Sequence, residues 1–227
     1  MWTFIRTAGK AAGVMALACW SVTTAWAAAS LQVTVLGKDG QPLPNTVVTL
    51  VSSSGLQPTA KRATTLVIEQ RNMKFVPALS VVPKGTRIKF VNLDAWPHHV
   101  RGLPGGQTSR PDGSPAGFSL GLDGKEEGRA ASTAEVTLDT AGPLHLGCHI
   151  HGSMRGFVYV SEAPWAAQTD AQGTVTFNDL PLGAAQVRLW HPQQITEPPA
   201  TEVVIQPLTT LKVQLPITPR RQRGALQ

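Results

Sequence analysis

Short runs of alternating apolar and polar residues, each cut off by a glycine or proline turn, leave this chain little room for anything but β-structure. Leu31-Gln32-Val33-Thr34-Val35 alternates and stops at Lys38-Asp39-Gly40. Val47-Val48-Thr49-Leu50-Val51 follows Pro42-Leu43-Pro44-Asn45 and is broken by residues 52–55. A period of two buries one face of a strand, and turn residues this closely spaced interrupt a helix. The same reading predicts strands at Leu66-Val67-Ile68, at 72–77, at Arg87-Ile88-Lys89-Phe90-Val91 with Ile88 and Phe90 on one face, and at 135–138. Further strands are expected on entering Cys148, at Phe157-Val158-Tyr159-Val160, at Val175-Thr176-Phe177, at Val187-Arg188-Leu189-Trp190 and at 211–215. The 18 prolines and 21 glycines among 227 residues fit this all-β expectation. Residues 101–132 show little periodicity and read as a long loop, with a short strand at 118–122; loops of such length are usually functional or disordered. No fixed-period repeat is present.

The first residues carry a different signal. Arg6 and Lys10 precede a short apolar run at 11–20, and Ala25-Trp26-Ala27 is a small-x-small cleavage site. That pattern predicts a signal peptide over 1–27, a mature chain from about Ala28 and export to the periplasm. The apolar run is too short to span a bilayer. Ala16-Leu17-Ala18-Cys19 offers a lipoprotein box as a minor alternative, although Trp20 is an awkward neighbour for that processing. Without Arg6 and Lys10 the formal net charge falls from +6 to +4, and part of the remainder sits in a basic tail at 217–227 that reads as disordered. So mild an excess is no nucleic-acid footprint.

Cleavage would leave Cys148 as the only cysteine. An odd thiol in an oxidising compartment is a liability unless something occupies it. Its surroundings suggest what: Cys148, His151 and Met154 stand at Cys-x2-His-x2-Met spacing between two apolar strands, and His98-His99 follows Trp96-Pro97 upstream. Read singly, a buried cysteine is inert, a histidine satisfies ordinary hydrogen bonds and a methionine fills a core. Together they match the donor set of a mononuclear electron-transfer copper, a thiolate and two imidazoles with a weak axial thioether. Zinc is the rival ion, but it would recruit more cysteines or a carboxylate, and a thioether serves it poorly.

The segment Asn92-Leu93-Asp94-Ala95-Trp96-Pro97-His98-His99-Val100 resembles the cupredoxin motif N-x-x-x-F-P-H-N-V, and 148–156 resembles the C-x-x-H-x-x-M-R-G ligand loop of amicyanin. The resemblance covers about 64–163. It implies a Greek-key cupredoxin-like β-sandwich over 57–163, with one type 1 copper ion held by His98, Cys148, His151 and Met154. The flanks, 31–51 and 169–190, are similar to a prealbumin-like or carboxypeptidase-regulatory β-sandwich. This implies a second, smaller sandwich of 28–56 and 164–216 into which the first is inserted. The whole arrangement, with Trp190-His191-Pro192, resembles exported proteins labelled "methylamine utilization protein".

What the resemblance implies is a non-enzymatic carrier of single electrons, since four protein ligands leave the metal no open position. Its partners would be redox proteins, a c-type cytochrome or a periplasmic dehydrogenase. Electrons would pass through His151, with Trp96, Pro97, Leu103, Pro104 and Ile150 as an apolar docking face. Copper delivery is the alternative, though only Met73 and Met154 would survive cleavage to support it; a structural module braced by metal is another. The chain departs from the family where His99 and His149 replace an asparagine and a small hydroxyl residue, and Ile150 replaces a proline. His99 and His149 are expected either to hydrogen-bond ring to ring across the site or to stand as solvated surface residues. His145 and His191 are assigned no metal role.

Overall fold

The computed structural model describes residues 29–58, 63–105 and 117–218. The expected leader, Cys19 and the arginines of the tail therefore lie outside the described residues, as do 59–62 and 106–116 within the expected cupredoxin-like segment. Among the described residues the structure is all β, with strands in four sheets.

Two of the sheets enclose one core. The first contains β1 (Ala29–Leu36), β13 (Thr174–Leu180) and β16 (Leu208–Gln214), in the order β13-β1-β16. The second, in the order β12-β2-β14-β15, contains β2 (Val47–Ser52), β12 (Trp165–Gln168), β14 (Gly183–Trp190) and β15 (Thr201–Ile205). Alternation works here as expected. Leu31, Val33 and Val35 are fully buried and share one core with Leu50 and Val187 of the facing sheet and Phe177 of the neighbouring strand β13. This core reaches Ile217, whose carbonyl accepts the Lys38 N–H at 2.8 Å, so ordered structure extends into the region expected to be tail.

The chain leaves these sheets after β2 and returns to them at β12. The strands between pair only among themselves. β3 (Thr65–Arg71), β4 (Lys74–Val76), β6 (Thr86–Asn92) and β9 (Thr133–Leu138) form a sheet in the order β4-β3-β6-β9. β5 (Leu79–Pro83), β7 (His98–Pro104), β8 (Phe118–Leu122), β10 (Gly142–Gly147) and β11 (Arg155–Ser161) form the other, in the order β5-β11-β10-β7-β8. Ile88 and Phe90 point inward at 0% exposure, as their spacing predicted, against Ile68, Val100 and Val158. Burying side chains of this size contributes roughly 1.5–3 kcal/mol each.

The long loop expected over 101–132 is shorter than its sequence suggested. β7 runs through Gly102 to Pro104 and pairs with both β8 and β10. Gly102 is tolerated, indeed needed, because the Phe118 ring lies where its Cβ would stand. The structure also holds strands at β5, β12 and β15 that alternation did not single out. Where the two pairs of sheets meet, Trp190 and Val47 pack on Leu79 with Val81, Phe157 and Tyr159 around them.

His191, the residue after Trp190, is buried at 6% exposure. Its backbone N–H donates to Gln194 Oε1 at 2.9 Å, and its Nδ1 accepts the Gln193 N–H at 3.1 Å. Burial pushes its pKa below the usual 6.5, partly offset by a hydrogen bond to the backbone of Pro44. The folded form thus binds fewer protons than the unfolded chain. The sign follows: stability should fall as pH drops through the unfolded value and level off below the folded one. Urea midpoints taken from about pH 7.5 to 5.5 should fall less in His191→Gln than in the wild type. Parallel pH curves would remove His191 as the cause.

Candidate metal centre

The ligand segment is the loop between β10 and β11, which pair directly from Gly142↔Val160 to Gly147↔Arg155. Cys148 leaves β10 with its side chain buried at 6% exposure, so the next residue, His149, points out to solvent. The loop turns back through a Met154 N–H donated to the His151 carbonyl at 3.0 Å. Met154 is 1% exposed and packs in the same apolar cluster as Cys148.

The second half of the site comes from the turn between β6 and β7. Asn92, fully buried, organises it: its Nδ2 donates to the Trp96 and Asp123 carbonyls, both at 2.9 Å, and its Oδ1 accepts the Asp94 N–H at 3.0 Å. This delivers His98, at 0% exposure, to the start of β7. The backbone N–H of His99 donates to Cys148 Sγ at 3.4 Å and ties the two ligand-bearing turns together.

Three donor atoms converge between these turns. His98 Nδ1 lies 3.1 Å from His151 Nδ1, and Cys148 Sγ lies 3.9 and 3.6 Å from those two nitrogens. A triangle with these edges has a centre about 2.1 Å from each corner, close to metal–nitrogen and slightly short of metal–sulfur bond lengths. His98, Cys148 and His151 are the group that could hold a metal ion among the described residues.

Asp94 is the residue that sequence reasoning overlooked. Its Oδ2 lies 2.8 Å from His98 Nε2 and accepts the Met73 N–H at 3.0 Å, while Oδ1 accepts the Asn72 N–H at 2.7 Å. Asn72 and Met73 both have positive φ, 52° and 60°, in the tight hairpin joining β3 to β4. Consecutive left-handed residues turn their N–H groups into one concavity suited to an anion. Burial pushes the Asp94 carboxyl up, but the Met73 N–H, the His98 ring and the Asn72 N–H outweigh it and hold it below the usual 3.8. The ionised carboxylate therefore accepts a hydrogen bond from His98 Nε2–H, which leaves the Nδ1 lone pair facing Cys148 and His151. The only sequence signal was an acid four residues before the histidine, and nothing in it announced the contact with a hairpin at 71–74.

The remaining histidines fall outside the triangle. His99 and His149 do meet, but as stacked rings with centroids 6.1 Å apart and planes inclined by 23°, in place of the expected ring-to-ring hydrogen bond. His149 is exposed and His99 half-buried, and their rings lie face to face. His145 is exposed and makes an edge contact with Phe157 at 5.1 Å. Of the expected docking face, Trp96 and Ile150 are half exposed at 50% and 49%. Leu103 and Pro104 come from farther along β7, where Leu103 lines a cleft shared with Cys148, His149 and Gly152. They are five and six residues beyond His98 along β7, roughly 16–20 Å at the rise of a strand.

No family model matches the chain, and no curated protein matches it. Among solved structures, the crystal structure of amicyanin from Paracoccus versutus (Thiobacillus versutus) aligns at 20% identity over 52% of this chain and 100% of its own, with a TM-score of 0.34. An amicyanin variant in its reduced state aligns at 20% identity over 50% of this chain and 99% of its own, TM-score 0.34. A Cu(I) form of another amicyanin variant aligns at 18% identity over 52% and 99%, TM-score 0.35. No helix among the described residues is long and apolar enough to cross a membrane.

Proposed function

We propose that the chain is an exported blue-copper protein that carries single electrons between redox partners through a mononuclear type 1 site of His98, Cys148, His151 and Met154. The observation that carries this reading is the convergence of one thiol and two imidazole nitrogens within 4.8 Å of one another. A trigonal Cys/His/His set with a methionine sulfur at longer range suits copper, and a fourth hard ligand for zinc is not on offer. Asp94, the nearest carboxylate, is committed to His98 and to the hairpin N–H groups.

When bound, copper would supply one-electron exchange; everything else is the work of the chain. Asp94 holds the His98 ring in one tautomer, the His99 N–H tempers the charge on Cys148, and burial of Met154 keeps a thioether at hand in a dry cluster. Four protein donors leave no vacant position for substrate, which favours a carrier over an enzyme. In this reading residues 57–163 form a cupredoxin-like module, carried by a prealbumin-like sandwich of 28–56 and 164–216, and the protein works in the periplasm. Its partners would be a c-type cytochrome or a periplasmic dehydrogenase.

The test is a titration of the purified chain with cupric ion. An intense visible thiolate-to-copper band with reversible voltammetry is the expected result; a colourless protein, or one that gives copper up to a mild chelator at once, would overturn the reading. His151 is only partly buried and follows half-exposed Ile150, while half-exposed Trp96 stands two residues before His98, so partners should approach there. Weak redox encounters rely on small apolar patches. Ile150→Glu should slow bimolecular electron transfer about tenfold while leaving the visible band in place. Unchanged rates in stopped-flow mixing would move the docking site away from Ile150.

A further inference from the structure

The outer face of the five-stranded sheet carries a second feature, a cleft that borders the loop bearing Cys148 and Met154. In register, Gly147 of β10 stands directly between Arg101 of β7 and Arg155 of β11. Residues opposite one another across a ladder point to the same face, so both arginines flank the glycine, with Cα atoms about 10 Å apart. The next row is Leu103, His145 and Phe157. Pro192, from the turn after β14, helps to wall in the cleft so formed, whose other side is Cys148, His149, Gly152 and Met154, whose volume is about 540 Å³ and whose lining includes no acidic residue.

Two observations set this cleft apart from an ordinary solvated face. Arg71, Arg87, Arg129 and Arg188 each have a carboxylate within 4.0 Å, but Arg101 and Arg155 have none among the described residues. The glycine between them is also not demanded by the fold. A Cβ at 147 would meet nothing closer than the Met154 carbonyl at 4.0 Å, and its φ is not positive. What the missing side chain does provide is an open floor between two unpaired guanidiniums.

We propose that this cleft binds a small organic carboxylate. The two guanidiniums take the carboxylate above Gly147, and its apolar body lies along Leu103, Phe157 and Pro192. Guanidinium matches carboxylate in planar, bidentate hydrogen bonds, and the volume falls within the range of small-molecule sites. The same chemistry has a second source, an acidic side chain on a partner protein, which the test separates.

The probe is benzoate titrated into the purified full chain, with and without added metal, followed by the backbone amide shifts of Arg101, Gly147 and Arg155. Saturable shifts are expected with benzoate and none with benzamide, its neutral counterpart. Arg101→Gln and Arg155→Gln should each weaken binding about tenfold, the loss of one charge-assisted contact. Gly147→Leu should abolish binding with both guanidiniums still in place; should that variant not fold, the two arginine variants decide. If a glutamate-rich peptide shifts these amides and benzoate does not, the carboxylate belongs to a partner chain. Equal response to benzoate and benzamide, binding untouched by the arginine variants, or no response to benzoate or peptide overturns the proposal.

Discussion

Cys148→Ser should extinguish the visible copper band completely while the sandwich stays folded. The band requires charge transfer from a thiolate, and a serine hydroxyl stays protonated and hard at neutral pH. Serine is close to cysteine in size, and its oxygen can still accept the His99 N–H that now reaches Cys148 Sγ at 3.4 Å. The direct cost to the apo protein should therefore be about 1 kcal/mol, typical of a single substitution. The larger effect appears through linkage. Free metal at a thousandfold excess over Kd stabilises a one-site protein by about 4 kcal/mol. Wild-type urea midpoints should rise by that amount on copper addition, and those of Cys148→Ser by far less. A variant that remains blue, or that is protected by copper as well as the wild type, would show that the sulfur at 148 is not a ligand.

Part of the candidate site was legible in the sequence because the spacing of Cys148, His151 and Met154 is local. A loop between two adjacent antiparallel strands brings these residues together whatever the rest of the chain does. Ile88 and Phe90 were legible for the same reason, one alternating run facing one core. What could not be read depends on long-range pairing. β1 lies parallel to β16 with Ser30 opposite Leu208, and no local pattern specifies that. β5 was hidden because it ends at Pro83 before Gly85, a pairing that reads as a turn, and β7 was hidden by Gly102 and Pro104, which read as loop. The surroundings of Leu103 were hidden as a consequence: once β7 is a strand, Leu103 lines the arginine cleft together with Cys148, His149 and Gly152. The stacking of His99 on His149 depends on how two loops face each other, which spacing along either one does not determine.

Asp94→Asn should damage both fold and site, and separating the two effects shows what Asp94 is for. The carboxylate meets three N–H donors, those of Asn72, Met73 and the His98 ring. An amide keeps one acceptor oxygen and turns an NH2 group toward the others, so at least one buried donor loses its partner. Each orphaned donor costs about 1–3 kcal/mol, and the hairpin loses the anion that holds two residues at positive φ. The apo protein should therefore be about 2–4 kcal/mol less stable in urea. Metal binding should suffer for a different reason. With no carboxylate to fix the proton on Nε2, His98 is free to place it on Nδ1, where it occupies the lone pair a metal needs. Loss of such a partner commonly lowers metal affinity 10–100-fold, and that is the expected fall in a competitive chelator titration, fitted to the folded fraction alone. Asp94→Glu keeps the charge, and it should recover part of the affinity even if its longer side chain fits the hairpin poorly. An Asn variant that is destabilised but binds metal as tightly as the wild type would make Asp94 a brace for the 71–74 turn and nothing more. The reverse, weak metal binding in a chain of unchanged stability, would place its whole effect on the proton of His98.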